Sequence, residues 1–377
     1  MITNSTIRRI VSITYCAIIL LLAVGFMASP KKEFSENENR YLAKEPVLSV
    51  KNLVSGTYME SMSEWLSDQF PMRDFFMGFK STVEIGTGKR EINGVYVAQE
   101  DYLIEAYAQP VNTQRIGETF RNFYEKTDSS QIDMRLMLIP TAITIYRDKL
   151  PSGAPFRSQM DVAQEIYQTA KIPSIDCIEQ LIQGAESGQL YYRTDHHWTM
   201  YGAYQGYLAY CEAKGLSPVP LESWSAQTVT EEFAGTLYSK VNDYSHPKDS
   251  ITIYTNPNDR LTVTYVDTGE VTDSLYNLDY LAQKDKYSLF LNNIHTCVEI
   301  ENENVESDAV LVVIKDSYAN SIIPFLAHHY HKIYVFDTRY YKEGPSHFLS
   351  EHAEVTDVLL LYNMNTIDTD SGIRGIY

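Results

Sequence analysis

Residues 309–321 read Ala309-Val310-Leu311-Val312-Val313-Ile314-Lys315-Asp316-Ser317-Tyr318-Ala319-Asn320-Ser321. The first six are apolar without alternation, and four are β-branched, so the segment reads as a strand covered on both faces, as in a parallel sheet. It empties into a small polar turn, and residues 321–329 then carry helical apolar spacing. A buried strand, a turn and a helix in that order set a hydroxyl at the carboxyl edge of a parallel sheet. Ser317 is therefore the candidate nucleophile. Three more short apolar runs have the same character: 134–139 closing at Pro140-Thr141, 332–336 closing at Asp337, and 358–362 closing at Asn363. Helical patterns over 162–170, 201–214 and 321–329 separate them. The alternation predicts an α/β fold with four parallel strands flanked by helices.

A serine needs a base. The stretch Tyr191-Tyr192-Arg193-Thr194-Asp195-His196-His197-Trp198-Thr199 puts a carboxylate two residues before an imidazole. In an extended segment that spacing projects both side chains to one side, so Asp195 is expected to orient His197 while His196 points away. The same cluster, joined by His328, His329 or His331, has the donor types of a zinc or manganese site. Divergence of adjacent histidines argues against shared ligation, and no metal is expected. Trp198 reads as a packing residue. Arg339, just past the end of a strand, is a candidate substrate contact.

The chain has 377 residues, 44% of them hydrophobic, and a formal charge of −18. Arg8 and Arg9 are the only charges in the first 28 residues, so 29 basic and 49 acidic residues remain after them. A surface this acidic disfavours nucleic acid and anionic headgroups as partners. Neutral glycans stay open, and 29 Tyr, 14 Phe and 3 Trp supply rings that stack on sugars or fill a core. Residues 10–28 carry no charge and, as a helix, span roughly 28 Å, close to a bilayer's hydrocarbon thickness. With Arg8-Arg9 before them, they predict a single-pass membrane anchor whose C-terminal part is extracytoplasmic; a cleaved signal followed by secretion is the alternative. Cys177, Cys211 and Cys297 read as core residues with room for one bridge.

Residues 1–30 are thus expected to be a cytoplasmic tip and anchor, and 31–90 a tether with an N-terminal helical segment. Residues 91–377 form the α/β domain. Residues 31–48 are polar and punctuated by proline, a tether rather than a packed element. Helical spacing over 59–66 stops before Pro71, where the helix should end or restart, and Asp68 and Arg73 read as a structural pair. Residues 92–97 look like a hairpin and 115–124 like a helix. From about 225 to 291 alternating Thr, Val, Ile and Tyr with Asn-Pro-Asn and Asp-Thr-Gly turns predict a small antiparallel insertion.

With these residues in hand, the chain resembles the DHHW protein family, named for its Asp-His-His-Trp tetrapeptide. That family is similar to the alginate O-acetylation proteins of the SGNH-hydrolase superfamily, whose fold is flavodoxin-like. The resemblance runs through Ser35–Leu42, Asp68-Gln69-Phe70-Pro71-Met72-Arg73-Asp74, Ile139-Pro140-Thr141, Leu150-Pro151, Asp195-His196-His197-Trp198-Thr199 and Phe233-Ala234-Gly235-Thr236-Leu237. It implies a Ser317, His197 and Asp195 triad and an oxyanion donor at Asn363. The superfamily's serine usually follows Gly-Asp, and Lys315-Asp316-Ser317 departs from this at the glycine. The implied activity is a serine-dependent O-acetyl transferase or esterase acting on cell-surface or exported polysaccharide, without a cofactor. A transferase would need an acyl donor, supplied by a separate membrane protein. A catalytically silent glycan-binding or assembly component is the alternative.

Overall fold

The computed structural model describes residues 4–107, 112–127 and 131–376. Its contacts divide into two units, one made of Met1–Lys89 with Ser239–Ser245, the other of Arg90–Tyr238 with His246–Tyr377.

The larger unit is built on an eight-stranded sheet. Its strands in chain order are β1 (Asp133–Ile139), β2 (Ser174–Ile175), β3 (Leu261–Tyr265), β4 (Glu270–Thr272), β5 (Cys297–Asn302), β6 (Val310–Lys315), β7 (Lys332–Phe336) and β8 (Asp357–Asn363). They lie side by side as β4-β3-β5-β7-β6-β8-β1-β2. The four runs expected to be parallel strands are β1, β6, β7 and β8, and all pair in parallel. The two-residue β2 adds a fifth parallel strand beside β1.

Non-alternation in β6 follows from its two covered faces. Leu311 and Val313 join Met137, Leu359, Trp198 and Tyr207 in one core, whereas Val312 and Ile314 join Leu360, Phe120, Val162 and Ile166 in the other. Leu311 to Ile314 are fully buried, which contributes about 1.5–3 kcal/mol for each such side chain. The second core lies under the helices Thr113–Lys126 and Gln159–Ala170, which pack on each other. Met200–Lys214 covers the first. From β6 the chain crosses to β7 on one side, then returns past β6 to β8 on the other. The carboxyl end of β6 is thus a topological switch point, where α/β sheets open a crevice.

Two expectations need correction. The helix over 321–329 is instead a 3₁₀ turn, Ser317–Ser321, followed by one helical turn, Ile323–Leu326. The early carbonyls are taken by side chains: Trp198 Nε1 donates to Tyr318 O at 2.9 Å and the Tyr287 hydroxyl to Ser317 O at 3.2 Å. The segment 225–291 is antiparallel but not one insertion. Ser225–Phe233 pairs with Asp249–Thr255 as a separate ribbon, while β3 and β4 extend the main sheet through β5. Cys177, Cys211 and Cys297 are buried, and none of them is bridged.

In the smaller unit, Asn4–Ala28 is one helix, apolar and long enough to cross a membrane. Residues 31–48 are more than a tether: Phe34–Ser35 pairs with Arg40–Tyr41, and the Arg40 guanidinium grips both oxygens of Asp68 at 2.9 and 2.6 Å. Arg73 also reaches Asp68, at 3.7 Å. Thr57–Asp68 ends before Pro71, and Arg73–Gly86 restarts after Met72, whose φ of 58° turns the chain.

Candidate active site

The segment holding Asp195 is a bend, not an extended strand. Tyr191 and Trp198 bridge its ends, and the buried Asp249 carboxylate pins the middle, accepting from Thr194 N–H at 2.7 Å, Thr194 Oγ1 at 2.6 Å and Arg193 N–H at 3.0 Å. Asp195 then folds back on its own chain, accepting from the His197 N–H at 3.0 Å and standing 2.6 Å from His197 Nδ1. The i, i+2 pairing expected from the sequence is present, produced by a turn rather than by pleating. The corollary fails: His196 does not point away. Its ring centroid lies 3.9 Å from that of His197, and its Nδ1 is 2.7 Å from Thr236 Oγ1.

His197 Nε2 lies 2.7 Å from Ser317 Oγ. Ser317 follows β6 after one residue, Asp316, and is half-buried, whereas Asp195 and His197 are 3% and 5% exposed. Burial opposes the charge on Asp195, yet the two imidazoles and the hydrogen bonds from His197 and Thr236 hold its carboxyl well below the usual range. Burial, with His196 adding to it, pushes His197 down to about 4 against the pull of Asp195. At neutral pH the pair is therefore carboxylate and neutral imidazole. An ionised carboxylate only accepts, so His197 Nδ1–H donates to Asp195. Nε2 is left as the acceptor for the Ser317 hydroxyl. The arrangement can take a proton from Ser317 and stabilise the imidazolium that results.

Several side chains that sequence reasoning missed hold these three. Tyr287, in the turn Lys286–Leu289, stacks on His197 with centroids 3.7 Å apart and planes 7° from parallel. Its hydroxyl reaches the Ser317 carbonyl, so one ring braces both base and nucleophile turn. Thr236 donates to Asp195 Oδ2 from N–H and Oγ1 at 2.8 and 2.9 Å. Gly235 permits that approach, since a Cβ there would fall 2.3 Å from the Asp195 Cβ. The signal for this pair was the Phe233–Leu237 motif; Tyr287 has none. Trp198 is buried packing as expected, with its indole N–H tied to the nucleophile turn.

The two remaining site residues have partners that the sequence did not announce. The Asn363 amide is not directed at Ser317: it donates to Asp316 Oδ2 and Thr366 Oγ1, each at 2.7 Å. Its N–H also serves Asp316, at 2.7 Å, and Asp316 in turn caps the nucleophile turn through Tyr318 N–H at 2.9 Å. Asn363 thus positions the serine through a carboxylate. Arg339 is likewise engaged, its Nε donating to Asp337 Oδ1 at 2.8 Å and its Nη2 to Oδ2 at 2.5 Å. Asp337 thus fixes the guanidinium, whose side chain stays 31% exposed at the edge of the sheet.

Among the described residues, Asp195, His196 and His197 are a group with donor atoms close enough to share a metal ion. His328 pairs with Asp259 and His329 with Tyr207 instead. Both nitrogens of His197 and Nδ1 of His196 already have protein partners, which fits a proton relay better than a ligand set. A chelator is accordingly expected to leave any esterase activity unchanged, as measured by hydrolysis of a chromogenic acetyl ester.

The profile described as DHHW protein matches residues 126–336, 211 of the 377. The chain belongs to the DHHW protein family. The match includes Asp195, His197 and Ser317, and ends before Arg339 and Asn363. A solved DHHW family protein from Eubacterium siraeum is similar, with 24% identity, a TM-score of 0.66, and coverage of 75% of this chain and 96% of that one. Bacillus cereus PatB1, solved with a sulfonyl adduct, has 18% identity and a TM-score of 0.62 over 75% of this chain and 98% of its own. At these identities the likeness establishes a shared fold. No curated protein matches it in sequence.

Proposed function

We propose that the chain is an extracytoplasmic serine-dependent O-acyl, specifically acetyl, transferase or esterase acting on cell-surface or exported polysaccharide. The observation that carries this reading is the unbroken relay from Ser317 Oγ through His197 to Asp195, with distances of 2.7 and 2.6 Å, at the switch point of the sheet. Ser317 Oγ attacks the acetyl carbonyl while His197 Nε2 takes the hydroxyl proton. The intermediate collapses, the donor oxygen leaves with that proton, and acetyl-Ser317 remains. A sugar hydroxyl or water then attacks the acetyl group with His197 as base, and Ser317 recovers its proton. The Ser317 N–H, first in its turn, is the donor we assign to the oxyanion, a contribution of roughly 3 kcal/mol where such a donor is well placed. The acetyl donor for a transferase is assigned to a separate membrane protein.

The test is trapping. Incubation with p-nitrophenyl acetate, quenching in acid and peptide mass spectrometry should find one acetyl group on the peptide bearing Ser317. A sulfonyl fluoride should block the same residue. An intact protein that hydrolyses the ester without a labelled serine, or takes up neither reagent, overturns the reading.

Two further results follow from the relay. Since the base is neutral His197, pushed down to about 4, kcat/KM for a neutral ester should climb through a midpoint near that value and stay level from about pH 6 to 8. The sign is the same for stability. Between about 4 and 6.5 the unfolded histidine holds a proton that the folded one has lost, so the fold weakens as pH falls through that window. An activity midpoint at 6.5 or above would show that His197 is not desolvated. Second, Tyr287→Leu should lower kcat roughly ten-fold with little change in KM, because a loosened base loses orientation rather than binding. Tyr287→Phe keeps the stack and should retain most of the rate; equal losses in both would assign the effect to the hydroxyl.

A further inference from the structure

The helix Arg73–Gly86 has two dissimilar faces. One is closed: Gly78 and Ser81 are its buried residues, Ser81 Oγ donates to Val241 O at 2.6 Å, and a Cβ on Gly78 would meet the Tyr244 ring at 2.6 Å. The other carries Phe75, Phe76, Phe79 and Val83 at helical spacing, with exposures of 57%, 44%, 60% and 46%. Phe70 and Met72, just before it, are 38% and 67% exposed. The rings form one patch, since Phe76 lies 5.8 Å from Phe70 and 5.4 Å from Phe75, and Phe75 stacks on Phe79 at 6.2 Å. A contiguous aromatic surface of this kind on a polar chain marks a contact with something apolar.

What that contact is follows from where the patch begins. Pro71 packs on Gly25, with 3.5 Å from a Cβ built on Gly25 to Pro71 Cγ, and Trp65 meets Phe26 edge-on at 5.2 Å. Gly25 and Phe26 belong to the last turn of the membrane-length helix, which ends at Ala28. The aromatic patch therefore starts at the level of that helix's last turn. Lys31, three residues past the helix end, bends back so that its Nζ lies 3.4 Å over the Phe26 ring and donates to Phe26 O at 2.6 Å, a cation–π contact on the last turn.

We propose that Arg73–Gly86 is an interfacial helix, lying in the headgroup region of the extracytoplasmic leaflet with Phe75, Phe76, Phe79 and Val83 against the acyl chains. Rings and an aliphatic residue on one face, with Arg73, Asp74, Lys80 and Glu84 elsewhere around it, make up the composition such helices carry. The inference rests on the reading of Asn4–Ala28 as a membrane span. It adds a second attachment point, so that the smaller unit is seated on the bilayer as well as tethered to it.

The test uses the full chain with Cys16 replaced by Ser and the buried Cys177, Cys211 and Cys297 by Ala, reconstituted in phosphatidylcholine vesicles, with single spin labels at Ile18→Cys, Phe75→Cys, Phe79→Cys and Lys80→Cys. Collision with oxygen and with a water-soluble nickel chelate reads lipid against water. Labels at 75 and 79 should meet oxygen readily and meet the nickel chelate roughly ten-fold less than the label at 80. A lipid-buried label at 18 with labels at 75 and 79 as wet as that at 80 overturns the interfacial helix alone. A wet label at 18 overturns the span itself. Labels at 75 and 79 shielded from both reagents and broadened by one another between molecules would show a second copy on the patch, which also overturns the proposal.

Discussion

Ser317→Ala is expected to reduce hydrolysis of a small acetyl ester by about a thousand-fold or more, since the remaining members of a relay have nothing to activate. It should leave the fold intact. The Ser317 hydroxyl is half-buried and its bond is to His197 Nε2, so its loss removes one hydrogen bond at a site that water can reach, worth about 1 kcal/mol. The backbone of the turn is held by other groups: Asp316 on Tyr318 N–H, Trp198 on Tyr318 O and Tyr287 on Ser317 O. Thermal unfolding should therefore differ from the parent by no more than about 2–4 °C. Activity loss with an unchanged unfolding curve assigns the serine to chemistry. Retained activity discards Ser317 and, with it, the acyl-enzyme.

How far these features were legible in the sequence depended on whether the cause was local. The strand β6 was readable because two covered faces leave no polar position between Val310 and Ile314, and the turn after it was readable because the strand ends in Lys315-Asp316. Asp195 and His197 were found through a spacing that is correct and a geometry that is not. Strand-like pleating would separate His196 from His197, whereas the Asp249-pinned bend brings their rings to 3.9 Å. Asp249 lies more than fifty residues away, so nothing in Thr194-Asp195-His196 announces it. Asn363 and Arg339 were placed at the right edge of the sheet, but the carboxylates that hold them were not read. A position at a strand end says where a side chain starts; it does not say that Asp316 and Asp337 will occupy it first. The alternation in residues 261–265 marked a strand, yet its partner β5 went unread although Val298-Glu299-Ile300-Glu301 alternates in the same way. Tyr287 is the extreme case, an aromatic in a polar turn whose role exists only once 90 residues of intervening chain have folded.

Asp195→Asn tests the relay from its far end, with an expected loss in kcat of about ten-thousand-fold. The size follows from the orientation the asparagine amide prefers. Asp195 Oδ2 accepts from Thr236 N–H and Oγ1 at 2.8 and 2.9 Å, and a buried backbone donor must keep an acceptor. Oδ1 serves one backbone donor as well, His197 N–H at 3.0 Å, but Thr236 presents two donors to Oδ2, so the asparagine oxygen turns to Thr236, and its NH₂ group faces His197. Nδ1 must then accept, the ring proton moves to Nε2, and the nitrogen that should receive the Ser317 proton is already protonated. Size and packing are unchanged, so the fold should persist, and Ser317 should become unreactive toward a sulfonyl fluoride as well as toward the ester. His196→Ala offers the contrast. That ring touches Thr236 and stacks beside His197 without meeting Ser317, and its removal should cost roughly ten-fold or less by way of a looser Thr236. If the two variants lose equal activity, the adjacent histidines act together and a metal-type cluster replaces the relay. If Asp195→Asn loses less than ten-fold, His197 holds its tautomer without the carboxylate, and the Asp195 bond is structural only.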